Sequence, residues 1–69
     1  MKKSKTITRN EMVKSKKKHI NLYFKDGDVW KNVYIDCFLQ AEDDDEENML
    51  EIGKYLINQS EIEKIEILD

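Results

Sequence analysis

The chain has 69 residues, with 12 Lys or Arg against 15 Asp or Glu, a formal net charge of −3, one cysteine and no proline. That length allows one small domain near the lower limit for a self-sufficient core. A single cysteine excludes an intramolecular disulfide framework and points to a reducing, cytoplasmic setting, and no apolar run is long enough for a signal-peptide core or a bilayer span.

The net charge hides a division. Residues 1–19 carry Lys2, Lys3, Lys5, Arg9, Lys14, Lys16, Lys17 and Lys18 against Glu11 alone, which is +7 with His19 neutral. Residues 20–69 carry four basic side chains against fourteen acidic ones, which is −10. A basic head attached to an acidic body attracts anions at one end and basic partners at the other.

Large apolar side chains in residues 1–18 are confined to Met1, Ile7, Met12 and Val13. Too little surface is available there to offset the entropy of ordering, so 1–18 is expected to be a flexible basic arm. Thr8 with Glu11 matches a capping box, which would start a short helix from Asn10 to Ser15 that the adjacent charges of Lys16, Lys17 and Lys18 cut short.

From His19 the pattern alternates, with Ile20, Leu22 and Phe24 on one face and Asn21, Tyr23 and Lys25 on the other, which predicts a strand. Asp26-Gly27 predicts a two-residue type I′ hairpin turn, setting Phe24 opposite Val29, Leu22 opposite Lys31 and Ile20 opposite Val33. The second strand runs from about Val29 to Gln40. Its core parity is Val29, Val33, Ile35, Cys37 and Leu39, but Trp30, Tyr34 and Phe38 lie on the other. Apolar residues on both faces predict a strand kinked near Lys31-Asn32 to serve two sheets of a small barrel.

Glu42 to Glu47 is a run of six carboxylates and predicts an exposed loop. Asn48 to Ile52 reads as a third strand, Gly53-Lys54 as a turn and Tyr55 to Ile57 as a fourth strand. Ser60 to Ile62 reads as a 3₁₀ turn, followed by a closing strand from Glu63 to Leu68. A C-terminal helix competes with that strand, because Ser60 and Glu63 also fit a capping box and Ile62, Ile65 and Leu68 fall at helical spacing.

This order resembles that of SH3-like and Sm-like small barrels. Ile20 to Asp28, INLYFKDGD, resembles the first Sm motif, and Tyr55 to Leu68, YLINQSEIEKIEIL, resembles the close of small bacterial and phage proteins of the same type. The resemblance implies an all-β, five-stranded barrel over residues 19–69, preceded by the arm. Sm proteins that bind RNA carry an asparagine-bearing loop after the second strand and an Arg-Gly element near the last turn. Ala41, Glu42, Asp43 and Asn58, Gln59, Ser60 stand at those places here, so the resemblance implies no RNA binding of the ring-pore kind.

Catalysis needs a nucleophile, a base and an orienting group brought together. The expected pairing sets His19 across from Tyr34 on the outer face and Cys37 on the core face, so no Cys-His dyad is expected, and no enzyme activity, cofactor or metal site. The acidic loop lacks the glycine and spaced ligands of a calcium loop. The expected role is a non-enzymatic protein interaction or assembly module, with Tyr23, Trp30 and Tyr34 as interface residues and the acidic loop steering basic partners. The rival reading is weak, sequence-independent nucleic-acid binding through the eight basic residues of the arm. Neither reading involves a membrane or a small-molecule substrate.

Overall fold

The computed structural model describes residues 7–69, in the order α1 (Arg9–Ser15), β1 (His19–Phe24), β2 (Val29–Tyr34), β3 (Cys37–Leu39), β4 (Met49–Ile52), β5 (Tyr55–Asn58), a 3₁₀ turn (Gln59–Glu61) and β6 (Ile62–Ile67). The closing segment is therefore a strand and not a helix. Its β-branched residues prevail because β6 lies antiparallel along β1, setting Ile65 opposite the buried Leu22 and Ile67 opposite the buried Ile20.

The hairpin forms at Asp26-Gly27 with a longer turn than the two-residue one expected. Phe24 N–H donates to the Asp28 carbonyl at 2.9 Å and Gly27 N–H donates to the Phe24 carbonyl at 3.0 Å, leaving Lys25 to Gly27 as the turn. Gly27, with φ of 102°, takes the positive-φ position that such turns need. The Asp26 carboxylate accepts the Asp28 N–H at 3.0 Å and holds the turn from within. As a result Leu22 faces Trp30 rather than Lys31, whereas Ile20 faces Val33 as the alternation predicts. The register slips between these pairs at Asn32, whose φ is 53°. Asparagine tolerates that left-handed backbone, and the kink predicted near Lys31-Asn32 is this bulge.

A second break follows between Ile35 and Asp36. Lys17 N–H donates to the Ile35 carbonyl at 2.8 Å and Ile35 N–H to the Lys18 carbonyl at 3.0 Å, which extends the first sheet. Asp36 N–H instead donates to the Glu51 carbonyl at 2.8 Å, in the second sheet. The first sheet has the order β2-β1-β6 and the second β3-β4-β5, all antiparallel. The five-stranded closed barrel is thus corrected to six strands in two small sheets. The long second strand divides where it changes sheets, and β5 and β6 end up in different sheets on either side of the 3₁₀ turn.

Each break also changes which side chains face inward. Trp30 and Phe38 pack against the core, whereas Val29 is exposed and Cys37 is half-buried opposite Glu51. The expected core parity of Val29, Cys37 and Leu39 is corrected accordingly: one bulge and one sheet change each invert the alternation.

The core draws on both sheets and on the N-terminal segment. Met12, Ile20, Leu22, Ile35, Leu50 and Ile62 are fully buried, with Ile7, Ile52 and Ile57 nearly so. Residues 7–18 therefore correct the expectation of a loose arm. Thr8 Oγ1 accepts the Glu11 N–H at 3.2 Å and the Glu11 carboxylate accepts the Thr8 N–H at 2.9 Å, so the predicted capping box forms. Burying Met12 contributes about 2 kcal/mol to holding the helix against the body. Ser15, also buried, donates its hydroxyl to the Met12 carbonyl at 2.7 Å. The Gln59 amide donates to the Ile7 carbonyl at 2.6 Å and anchors the entry to the helix. Lys2, Lys3 and Lys5 lie outside the described residues.

Candidate protein-interaction site

The outward face of the first sheet carries two of the three expected interface residues. Tyr23 is half-buried, donates its hydroxyl to the Glu66 carboxylate at 2.9 Å and lies 4.9 Å from the Lys64 Nζ above its ring. Asn21 donates its amide to the same carboxylate at 3.0 Å. These hydrogen bonds, first from Asn21 and then from Tyr23, hold the Glu66 carboxyl below its ordinary value of 4.5. The same bond to Glu66 favours the neutral phenol and raises Tyr23 above its ordinary 10.0.

Tyr34 lies at the far end of this face, 40% exposed, with its ring tilted against His19 at 5.1 Å. His19 Nδ1 is 3.3 Å from the Asp69 carboxylate, which also accepts the His19 backbone N–H at 2.9 Å. The backbone bond and then the imidazole bond hold Asp69 below its ordinary 3.8. Cys37 belongs to the other sheet.

Trp30, the third expected interface residue, points to the other side. Its ring stands edge-on to Phe24 at 5.0 Å and to Tyr55 at 5.4 Å. The three aromatic rings and Ile57 line a shallow groove of about 260 Å³ whose other lining residues are Asp26, Asp28 and Glu61. The first hairpin supplies Phe24, Trp30 and the two aspartates, β5 supplies Tyr55 and Ile57, and the 3₁₀ turn supplies Glu61. Lys25 lines an adjoining hollow with Phe24, Asp26 and Glu61, and the Lys54 Nζ lies 5.9 Å above the Tyr55 ring. The alternation of β2 conceals this groove, because it appears only after the bulge at Asn32 has brought Trp30 inward.

Arg9 donates to the Gln40 side-chain oxygen at 2.8 Å and lies 5.6 Å over the Phe38 ring. Lys14, Lys16 and Lys17 are exposed on the helix and the turn after it. The acidic loop is exposed from Glu42 to Glu47, and Glu47 accepts both the backbone N–H and the hydroxyl of Ser60, at 2.9 and 3.0 Å.

Among the described residues no group of three or more His, Cys, Asp or Glu side chains converges as metal ligands, and no helix is long and apolar enough to cross a membrane. Compared with protein-family models, curated proteins and solved structures, the chain finds no match.

Proposed function

We propose that this chain is a non-enzymatic protein interaction or assembly module, docking through the open edge of β5. The observation that carries the reading is the character of that edge. Tyr55 and Leu56 are 52% and 54% exposed, and the strand Tyr55-Leu56-Ile57-Asn58 has no charged residue. Edge strands that must stay unpaired are usually protected by charge, proline or a bulge. The β6 edge has such protection in Glu63, Lys64 and Glu66; β5 has none. An uncharged edge with apolar side chains beside it suits the addition of a strand from another chain.

The element order, the pairing of the first strand with the last and the single 3₁₀ turn before the last strand support an open form of the SH3-like or Sm-like small barrel. The lone, half-buried thiol of Cys37 suits a cytoplasmic setting. Size-exclusion chromatography with light scattering tests self-assembly, and cross-linking to native partners tests docking to another protein. Leu56→Lys, which places a charge on the edge, is expected to abolish the association. Association unaffected by Leu56→Lys overturns docking through β5.

A second reading, weak nucleic-acid binding without sequence preference, is favoured by the exposure of Lys14, Lys16 and Lys17. Neutralising these three to Gln is expected to weaken DNA and RNA binding and flatten its salt dependence. No binding at low salt eliminates this reading.

A further inference from the structure

We infer that the groove between Phe24, Trp30 and Tyr55 is a receptor for a lysine or arginine side chain carried on an extended segment of a partner protein. This inference rests on the reading of β5 as a docking edge and names what that edge would select.

Three features of the groove converge on a cation. Its walls are aromatic, and aromatic faces attract cations through their quadrupole, most strongly at Trp. Apart from Ile57, its remaining lining is acidic: Asp26 and Asp28 come from the hairpin turn and Glu61 from the 3₁₀ turn, so carboxylates approach from two separate elements. One ring of the set already accepts a cation, because the Lys54 Nζ lies 5.9 Å above Tyr55. The aromatic walls would strip water from the aliphatic stem of the guest while the carboxylates pair with its head, as amphipathic basic side chains require. A neutral guest would gain no pairing with the three exposed carboxylates, and an acidic guest would be repelled by them.

The position of the groove specifies an extended peptide rather than a small amine. Tyr55 and Ile57 line the groove from β5, and Leu56 between them is exposed. A segment adding to the β5 edge would direct alternate side chains toward the same side as Tyr55 and Ile57. The acidic character of residues 20–69 favours the approach of such a segment over long range.

Trp30 is the only tryptophan, so its emission reports the groove directly. The full-length protein is titrated at low salt with an acetylated, amidated oligolysine peptide and with an oligoglutamine peptide of equal length. The lysine peptide is expected to change Trp30 emission saturably and the glutamine peptide to leave it unchanged. Asp26→Asn, Asp28→Asn and Glu61→Gln combined are expected to weaken the lysine peptide about tenfold, and Tyr55→Ala alone about threefold to tenfold. Asn at position 26 keeps the oxygen that accepts the Asp28 N–H, and far-UV circular dichroism verifies that each variant folds. Asp43→Asn, Asp44→Asn and Asp45→Asn combined are the control for bulk charge, expected to leave affinity within about twofold.

Equal weakening by the two triple variants, or binding seen by anisotropy of a labelled peptide without a Trp30 response, overturns the proposal. So does a Trp30 emission that depends on protein concentration and loses that dependence when residues 1–6 are removed, since the occupant would then be the basic end of a second copy. The underlying reading fails separately. In that case Leu56→Lys leaves association with native partners intact while Trp30 still responds to the lysine peptide.

Discussion

The side-chain oxygen of Asn21 accepts the backbone N–H of Asn32 at 2.9 Å, so a residue on β1 satisfies the donor that the bulge on β2 leaves without a ladder partner. The amide of the same Asn21 donates to Glu66 on β6, which ties the three strands of the first sheet together across one side chain.

Loss of this contact should therefore be felt at a surface position. Asn21→Ala is expected to destabilise the fold by about 1 kcal/mol. Asn32→Val forces a β-branched residue into a left-handed backbone, with a cost of about 1–2 kcal/mol. Urea denaturation measures both. The Asn32→Val change is also expected to shift Trp30 emission, because the bulge sets the face on which Trp30 lies.

Truncation tests the role of α1. Met12→Ala is expected to cost about 2–4 kcal/mol, since the site is fully buried and a cavity remains. Lys14→Ala on the exposed side is expected to change stability by less than about 0.5 kcal/mol. A chain starting at His19 loses Ile7, Met12 and Ser15 from the interior and is expected to lose its dispersed amide NMR spectrum. Retention of that spectrum would show that the two sheets fold without the helix. For the same reason, nucleic-acid binding is properly tested by lysine neutralisation and not by removal of residues 1–18.

Two backbone positions predict changes of opposite sign. Lys17, the residue after the Lys16 C-cap of α1, has φ of 64°, a conformation that glycine adopts without steric cost. Lys17→Gly is expected to stabilise by about 0.5–1 kcal/mol, with the relief of strain exceeding the added flexibility of the unfolded chain. Gly27→Ala, at φ of 102°, is expected to destabilise by about 1 kcal/mol although the space around it is open. Thermal melts measure both.

What the sequence makes legible here is local chemistry. The Thr8 and Glu11 cap, the Asp26-Gly27 reversal, the Gly53 turn and the 3₁₀ turn before β6 each depend on residues close together in the chain, and each forms, although the reversal is one residue longer than expected and the 3₁₀ turn starts one residue earlier. The elements that differ depend on contacts between distant residues. Met12 and Ile7 look too sparse to order a basic segment until Gln59 and the core are brought to them. The face of Trp30 follows from the turn length and a bulge whose N–H is satisfied eleven residues away by Asn21. The groove shares this dependence, since no local pattern joins Tyr55 and Glu61 to Phe24.

Acid should weaken the first sheet through Glu66 and Asp69. Both carboxyls have folded values below their ordinary ones, the first held down by Asn21 and then Tyr23, the second by the backbone N–H and then the imidazole of His19. The unfolded chain therefore binds more protons than the folded one as pH falls past about 4.5, and stability decreases from there through the lowered folded values. Both groups are exposed, so solvent screening keeps the effect modest. Carboxyl-detected NMR titration should show Glu66 titrating below 4.5 and Asp69 below 3.8. Tyr23→Phe should move Glu66 part of the way back toward 4.5, and Asn21→Ala should move it further. On the alkaline side the sign reverses for Tyr23: its raised folded value confers stability that is present below about pH 10 and lost as the phenol ionises above it. Equal titration of Glu66 in the parent and in Asn21→Ala would show that the hydrogen bond from Asn21 does not hold this carboxylate.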